Sequence, residues 1–77
     1  MLYNIYEGKR MIDYQQAVKD LRDKLILTQA ELAELLGASF ASINRWENGT
    51  HTPTFEYKRK IAALCKENNI VIKEKAD

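Results

Sequence analysis

Between Thr28 and Gly49 the chain is punctuated twice in the same way, and that punctuation limits what it can become. Thr28-Gln-Ala-Glu31 has the spacing of a capping box, in which a hydroxyl and a carboxylate each accept from the other residue's backbone amide at a helix start. Leu32, Ala33, Leu35 and Leu36 follow, and Gly37 then supplies the left-handed conformation at which helices commonly stop. Ser39 caps the next helix, which runs through Trp46 and Glu47 and ends at Asn48-Gly49. Two short helices joined by a glycine turn must bury their apolar rows against something else in the chain.

The flanking sequence supplies that surface. Asp13-Tyr-Gln-Gln16 has capping-box spacing, and Tyr14, Ala17, Val18, Leu21 and Leu25 recur as one apolar stripe, predicting a helix over 14–25. After the loop Thr50-His-Thr-Pro53, Pro53 suits the first position of a fourth helix. Phe55, Ile61, Ala62, Leu64 and Cys65 are its expected buried side, and Asn68-Asn69 its end. Residues 1–12 lack helical periodicity and read as an arm or short strand. Ile70-Val-Ile72 is β-prone and is a possible partner for Leu2–Tyr6. The expected division is an arm over 1–12, one helical domain over 13–69 and a tail over 70–77.

Composition narrows the function. Seventy-seven residues leave no room for a second core, and a chain this short buries only about 60% of its unfolded surface. Three glycines and one proline suit helices better than a many-turned β fold. The single cysteine, Cys65, cannot form an internal disulfide, which fits a cytoplasmic setting. Met1 to Met11 has no apolar signal-peptide core, and no apolar run approaches the roughly 18 residues of a membrane span. Met1 and the charged end Glu74-Lys-Ala-Asp77 favour a complete chain over a piece of a longer regulator. Catalysis finds no support: His51 and Cys65 make no convincing dyad, and no Gly-rich phosphate loop or metal-ligand cluster occurs. No cofactor or metal is therefore expected.

The net charge of +1 argues against a broadly basic nucleic-acid footprint. The charge is uneven, however. Residues 28–49 hold one basic side chain against three acidic ones, whereas residues 50–77 hold six against four, with Lys58, Arg59 and Lys60 consecutive. That cluster reads either as a solvated helix face or as a phosphate contact.

The stretch 29–48 meets the demands of a helix-turn-helix unit, whose second helix enters the DNA major groove. Ala33 is small where the two helices cross, Gly37 makes the turn, and Leu32, Leu36, Ala38, Ile43 and Trp46 are apolar where the helices face one another. Phe40, Ala41, Ser42, Asn44 and Arg45 are left for the outer face.

Thr28-Gln-Ala-Glu-Leu-Ala-Glu-Leu-Leu-Gly37, then Ser39, Ile43 and Arg45-Trp-Glu-Asn-Gly49, resembles the xenobiotic-response-element family, which includes lambdoid phage repressors and Cro. The resemblance covers roughly Val18 to Leu64. It implies an all-α, lambda-repressor-like fold of four to five helices, with possible short terminal strands, and a transcriptional regulator of double-stranded DNA. It further implies phosphate contacts from Gln29 and Asn48, and base contacts from Phe40, Ala41 and Arg45 with Ser42 and Asn44 nearby. Arg22 matches an arginine that pairs with the glutamate ending the family's third helix, here Glu47.

Phe40 departs from the family, where a polar residue usually stands; it either packs on thymine methyl groups or folds back on the core. Thr52 and Lys58 are further candidates for phosphate. His51 reads as an exposed loop residue or a neighbour of phosphate, and Cys65 as a buried small hydrophobe. Relatives bind inverted repeats as symmetric dimers, so a homodimer is expected, with Leu2–Tyr6 and Ile70–Ile72 as its candidate surfaces. The alternative is an antitoxin or protein-interaction module of the same fold, with a toxin or other protein as partner.

Overall fold

The structure, a computed structural model, describes residues 12–74. Four helices follow in order: α1 (Tyr14–Leu25), α2 (Gln29–Leu36), α3 (Phe40–Asn48) and α4 (Phe55–Glu67). All four begin within two residues of their expected starts, and the first three of those starts are set by side-chain caps from Asp13, Thr28 and Ser39.

At α2 the box closes in full. Thr28 Oγ1 accepts from the Glu31 amide at 3.1 Å, and Glu31 Oε1 accepts from the Thr28 amide at 2.9 Å. At α1 only half of the expected box forms. Asp13 Oδ1 accepts from the Gln16 amide at 3.0 Å, but the Asp13 amide donates to the Lys73 carbonyl at 2.9 Å instead of to Gln16. Gln16 is released to donate to Asp20 Oδ1 at 2.9 Å. A backbone contact from the distant tail has displaced the local one.

The helix ends divide by residue type. Gly37 (φ +72°) and Gly49 (φ +80°) take the left-handed conformation without a Cβ penalty. Ile26, at the end of α1, takes it with φ 55° despite its branched side chain, and is 88% exposed. Its cost is offset by the Leu27 amide on the Arg22 carbonyl at 3.0 Å and by Arg22 Nη1 on the Leu27 carbonyl at 3.2 Å.

The two glycines differ in their surroundings. A Cβ at Gly37 would meet only Lys60 Nζ at 3.8 Å, whereas one at Gly49 would meet Gln15 Oε1 at 3.0 Å. Gln15 cannot yield cheaply, because its Nε2 donates to the Glu47 carbonyl at 2.8 Å. Gly37→Ala should therefore cost about 1 kcal/mol of left-handed strain. Gly49→Ala should cost about 2 kcal/mol, since the Gln15 bond is lost as well. Thermal melts of the two variants check this, and equal melting temperatures would refute the role given to Gln15.

Val18, Leu21, Leu32, Ile43, Ile61 and Cys65 are fully buried and take one or two residues from each helix. Ala17, Ala33, Leu36 and Trp46 complete the core, with Tyr14, Leu25, Ala38, Tyr57, Leu64, Ile70 and Ile72 packed around it. Burial pushes the Cys65 thiol above its usual range, aided by the Asp20 charge, so it packs as a neutral side chain.

Two expectations for α4 need correction. Pro53 is not the first helical residue: Thr54 occupies the N-cap position and Pro53 is buried ahead of it, lining the same small cleft as Trp46. Phe55 is not on the buried side but 74% exposed, because it lies about 120° around the helix from Ile61.

The tail over 70–72 forms no strand; among the described residues the β pairing is an isolated antiparallel bridge between Ile12 and Glu74. Asn69 turns the chain with φ 59°, and the Ile70 amide donates to the Cys65 carbonyl at 2.8 Å. Ile70 and Ile72 then pack on the core while Val71 points outward, 76% exposed. The proposed partner segment Leu2–Tyr6 lies outside the described residues.

Candidate nucleic-acid interface

Helix α3 packs against both α1 and α2. Its inward row is Ile43, Trp46 and Glu47, all buried. At about 100° per residue the opposite side carries Ala41, Arg45 and Asn48. All three are exposed, with Phe40 and Asn44 along one edge and Ser42 along the other. Phe40 is 55% exposed, so of the two orientations open to it the structure takes the outward one.

The inward row includes a charge. Glu47 is 6% exposed and meets Arg22 through Nε to Oε2 at 2.6 Å and Nη2 to Oε1 at 2.9 Å. This two-point fork is the strong form of a charge-assisted hydrogen bond. Burial pushes the Glu47 carboxyl upward, but hydrogen bonds from Arg22 and Gln29, with the charges of Arg22 and Lys19, outweigh it. The group is held below the usual carboxylate range.

From Glu47 the hydrogen bonds continue to the surface. Gln29 Nε2 donates to Glu47 Oε1 at 2.9 Å, and Asn44 Nδ2 donates to Gln29 Oε1 at 3.3 Å. Asn48 Nδ2 then donates to Asn44 Oδ1 at 2.9 Å. Three residues read separately as contacts to DNA, Gln29, Asn44 and Asn48, are thus joined in one chain anchored on a buried ion pair. No buried side-chain polar atom among the described residues lacks a partner.

The consecutive cations of α4 do not form a patch. They are spaced about 100° apart and fan out around the helix. Lys58 Nζ lies 5.3 Å from the centre of the Tyr14 ring, and Arg59 lies 5.8 Å from that of Phe55. Lys60 Nζ donates to the Leu36 carbonyl at 3.3 Å. With Tyr57 Oη donating to the Gly37 carbonyl at 3.0 Å, Lys60 closes the C-terminal end of α2. His51 and Thr52 are exposed in the loop between α3 and α4.

Sequence reasoning missed Gln15, which ties α1 to the end of α3, and the capping roles of Tyr57 and Lys60. A polar residue beside the apolar stripe of α1 carries no local sign of such a bond. The aromatic and basic residues of α4 likewise read as ordinary surface until α2 is placed against them.

A short helix, a glycine turn and a second helix with an exposed polar face define a helix-turn-helix domain. The helix-turn-helix family model matches residues 18–68, and the chain belongs to this family, of the Cro and phage repressor type. It is a DNA-binding domain of the kind that transcription regulators carry. No curated protein and no solved structure matches it. Among the described residues no helix is long and apolar enough to cross a membrane, and no cluster of His, Cys, Asp or Glu is placed to hold a metal.

Proposed function

We propose that the chain is a sequence-specific transcriptional repressor that lays α3 in the major groove of an inverted-repeat operator. The observation that carries this reading is Arg45: an exposed cation, paired with no described residue, at the centre of the outward face of a helix anchored from behind by Glu47. An arginine so placed is suited to the paired acceptors O6 and N7 of guanine. Phosphate contacts fall to Gln29, Asn48, Thr52 and Lys58, with residues 13–69 acting as the DNA-binding unit. Gln29 and Asn48 are held in position by their hydrogen bonds before DNA arrives, which lowers the ordering cost of binding. With a net charge of +1 a single copy has a weak electrostatic hold on DNA, and pairing two copies on two half-sites doubles it.

The test is selection of bound duplexes from a random pool, followed by fluorescence anisotropy at several salt concentrations. A pseudo-palindrome should be enriched, and Arg45→Ala should weaken its binding by about 5- to 150-fold for each half-site, the worth of one guanine contact. If no duplex is enriched and binding is weak even at low salt, the reading is wrong, and a protein partner becomes the object of search.

A further inference from the structure

We propose that the outward face of α3 recognises the C5-methyl group of a pyrimidine, on thymine or 5-methylcytosine, through Phe40 and Ala41, near a guanine held by Arg45. This rests on the DNA-binding reading above and specifies what the operator must contain.

The argument begins with the hydrogen-bonding capacity left on that face. The Ser42 hydroxyl is tied to the N-cap: Ser39 Oγ donates to Ser42 Oγ at 2.9 Å while accepting from the Ser42 amide at 3.1 Å. The Asn44 amide is engaged at both ends, with Gln29 and with Asn48. Arg45 alone has its full set of donors available to base edges. Asn48 lies beyond it toward the end of the helix, and what stands on the same side toward the helix start is apolar. Ala41 stands one turn before Arg45 on the same row, and Phe40 occupies the first position of the helix.

Phe40 has no structural use that accounts for its place. It is 55% exposed and stands outside the apolar residues that pack on the core. The start of a helix in a helix-turn-helix unit is the part that meets base edges. In the major groove the pyrimidine methyl is the apolar feature on offer, and cytosine and uracil lack it. An exposed phenyl ring at the helix start, with the Ala41 methyl next in the chain and Arg45 one turn beyond Ala41, therefore fits a methylated pyrimidine near a guanine. A face richer in free amides would instead seek adenine.

The experiment uses the whole chain. Duplexes are selected in parallel from an unmodified pool and from a pool built with 5-methylcytosine in place of cytosine. In each enriched site the thymines are replaced one at a time by deoxyuridine, or the 5-methylcytosines by cytosine, and binding is read by anisotropy. One position in each half-site should lose about 4-fold in affinity on loss of its methyl, the worth of burying one such group, and about 15-fold when both half-sites are changed. The first pool reports thymine as the source and the second 5-methylcytosine.

Phe40→Ala should lose most of the preference for the methylated duplex, with Ala41 keeping the remainder, and an unchanged far-ultraviolet circular dichroism spectrum shows that the variant is folded. The proposal is overturned if the wild type is indifferent to every methyl, or if Phe40→Ala keeps the full preference. Enrichment of an Arg45-dependent site with no methyl effect refutes this inference alone. Failure to enrich any site refutes the DNA-binding reading with it.

Discussion

Arg22→Ala is expected to destabilise the domain by about 3 kcal/mol, the low end for breaking a buried ion pair, because Arg22 keeps 30% of its side-chain surface in water. For a domain of this size that is a fall of roughly 12–24 °C in melting temperature. The cost falls on what remains. Glu47 would keep its charge in the core with only the Gln29 amide for a partner, since both guanidinium bonds at 2.6 and 2.9 Å are gone.

Replacing the pair together, as Arg22→Met with Glu47→Leu, removes the stranded charge and should recover most of the loss. A melting temperature for Arg22→Ala within error of wild type would remove the pair from any account of stability. The pH dependence follows from the sign of the shift. Glu47 titrates lower in the folded chain than in the unfolded one, so its contribution is present in full above about pH 4.3 and is lost as pH falls through the lower folded value. The gap in stability between wild type and Glu47→Gln should therefore be constant near neutrality and narrow below about pH 4. A gap that widens in acid would contradict the direction assigned here.

How much of this could be read before folding depends on how local each cause is. The boundaries of α2 and α3 were legible because Thr28, Gly37, Ser39 and Gly49 act on amides and carbonyls within a few residues of themselves. The outward set on α3 was legible for the same reason, since helical spacing alone separates Ala41 and Arg45 from Ile43 and Trp46. The Arg22–Glu47 pair rested on resemblance and not on local spacing; in the structure the two side chains meet in a two-point fork.

Much of what sequence reading lost lies where a distant segment intervened, whereas Phe55 and the row of cations on α4 were misplaced against helical spacing that the sequence already contains. Asp13 has the right neighbours for a full capping box, yet its amide is taken by Lys73. Gln29, Asn44 and Asn48 each look like an independent surface amide, and only the approach of α2 to α3 links them. Lys58, Arg59 and Lys60 look like a cluster when written in a row, and the helix sends them to three different neighbours.

Trp46→Ala is the change expected to cost most, about 3–5 kcal/mol, through lost apolar burial and the cavity left behind. Trp46 is 5% exposed, and its ring centre lies 5.2 Å from that of Tyr57 at an interplanar angle of 54°, a tilted contact of the favoured kind. That contact joins α3 to α4, and Tyr57 in turn holds the Gly37 carbonyl at the turn between α2 and α3. Removing the indole therefore loosens the support of the reading helix from two directions.

Against a total stability of about 4–12 kcal/mol for a chain of this length, the loss removes between about a quarter and all of it. Two milder variants separate the contributions. Trp46→Phe keeps an aromatic partner for Tyr57 and should cost distinctly less than Trp46→Ala. Tyr57→Phe keeps the ring but loses the bond to Gly37, worth about 1 kcal/mol. Urea unfolding followed by far-ultraviolet circular dichroism measures all three, because the fluorescence probe is itself removed in two of them. If Trp46→Ala unfolds at the wild-type urea concentration, the indole does not hold α3 in place. The orientation of Arg45 toward DNA would then have to come from the Arg22–Glu47 anchor alone.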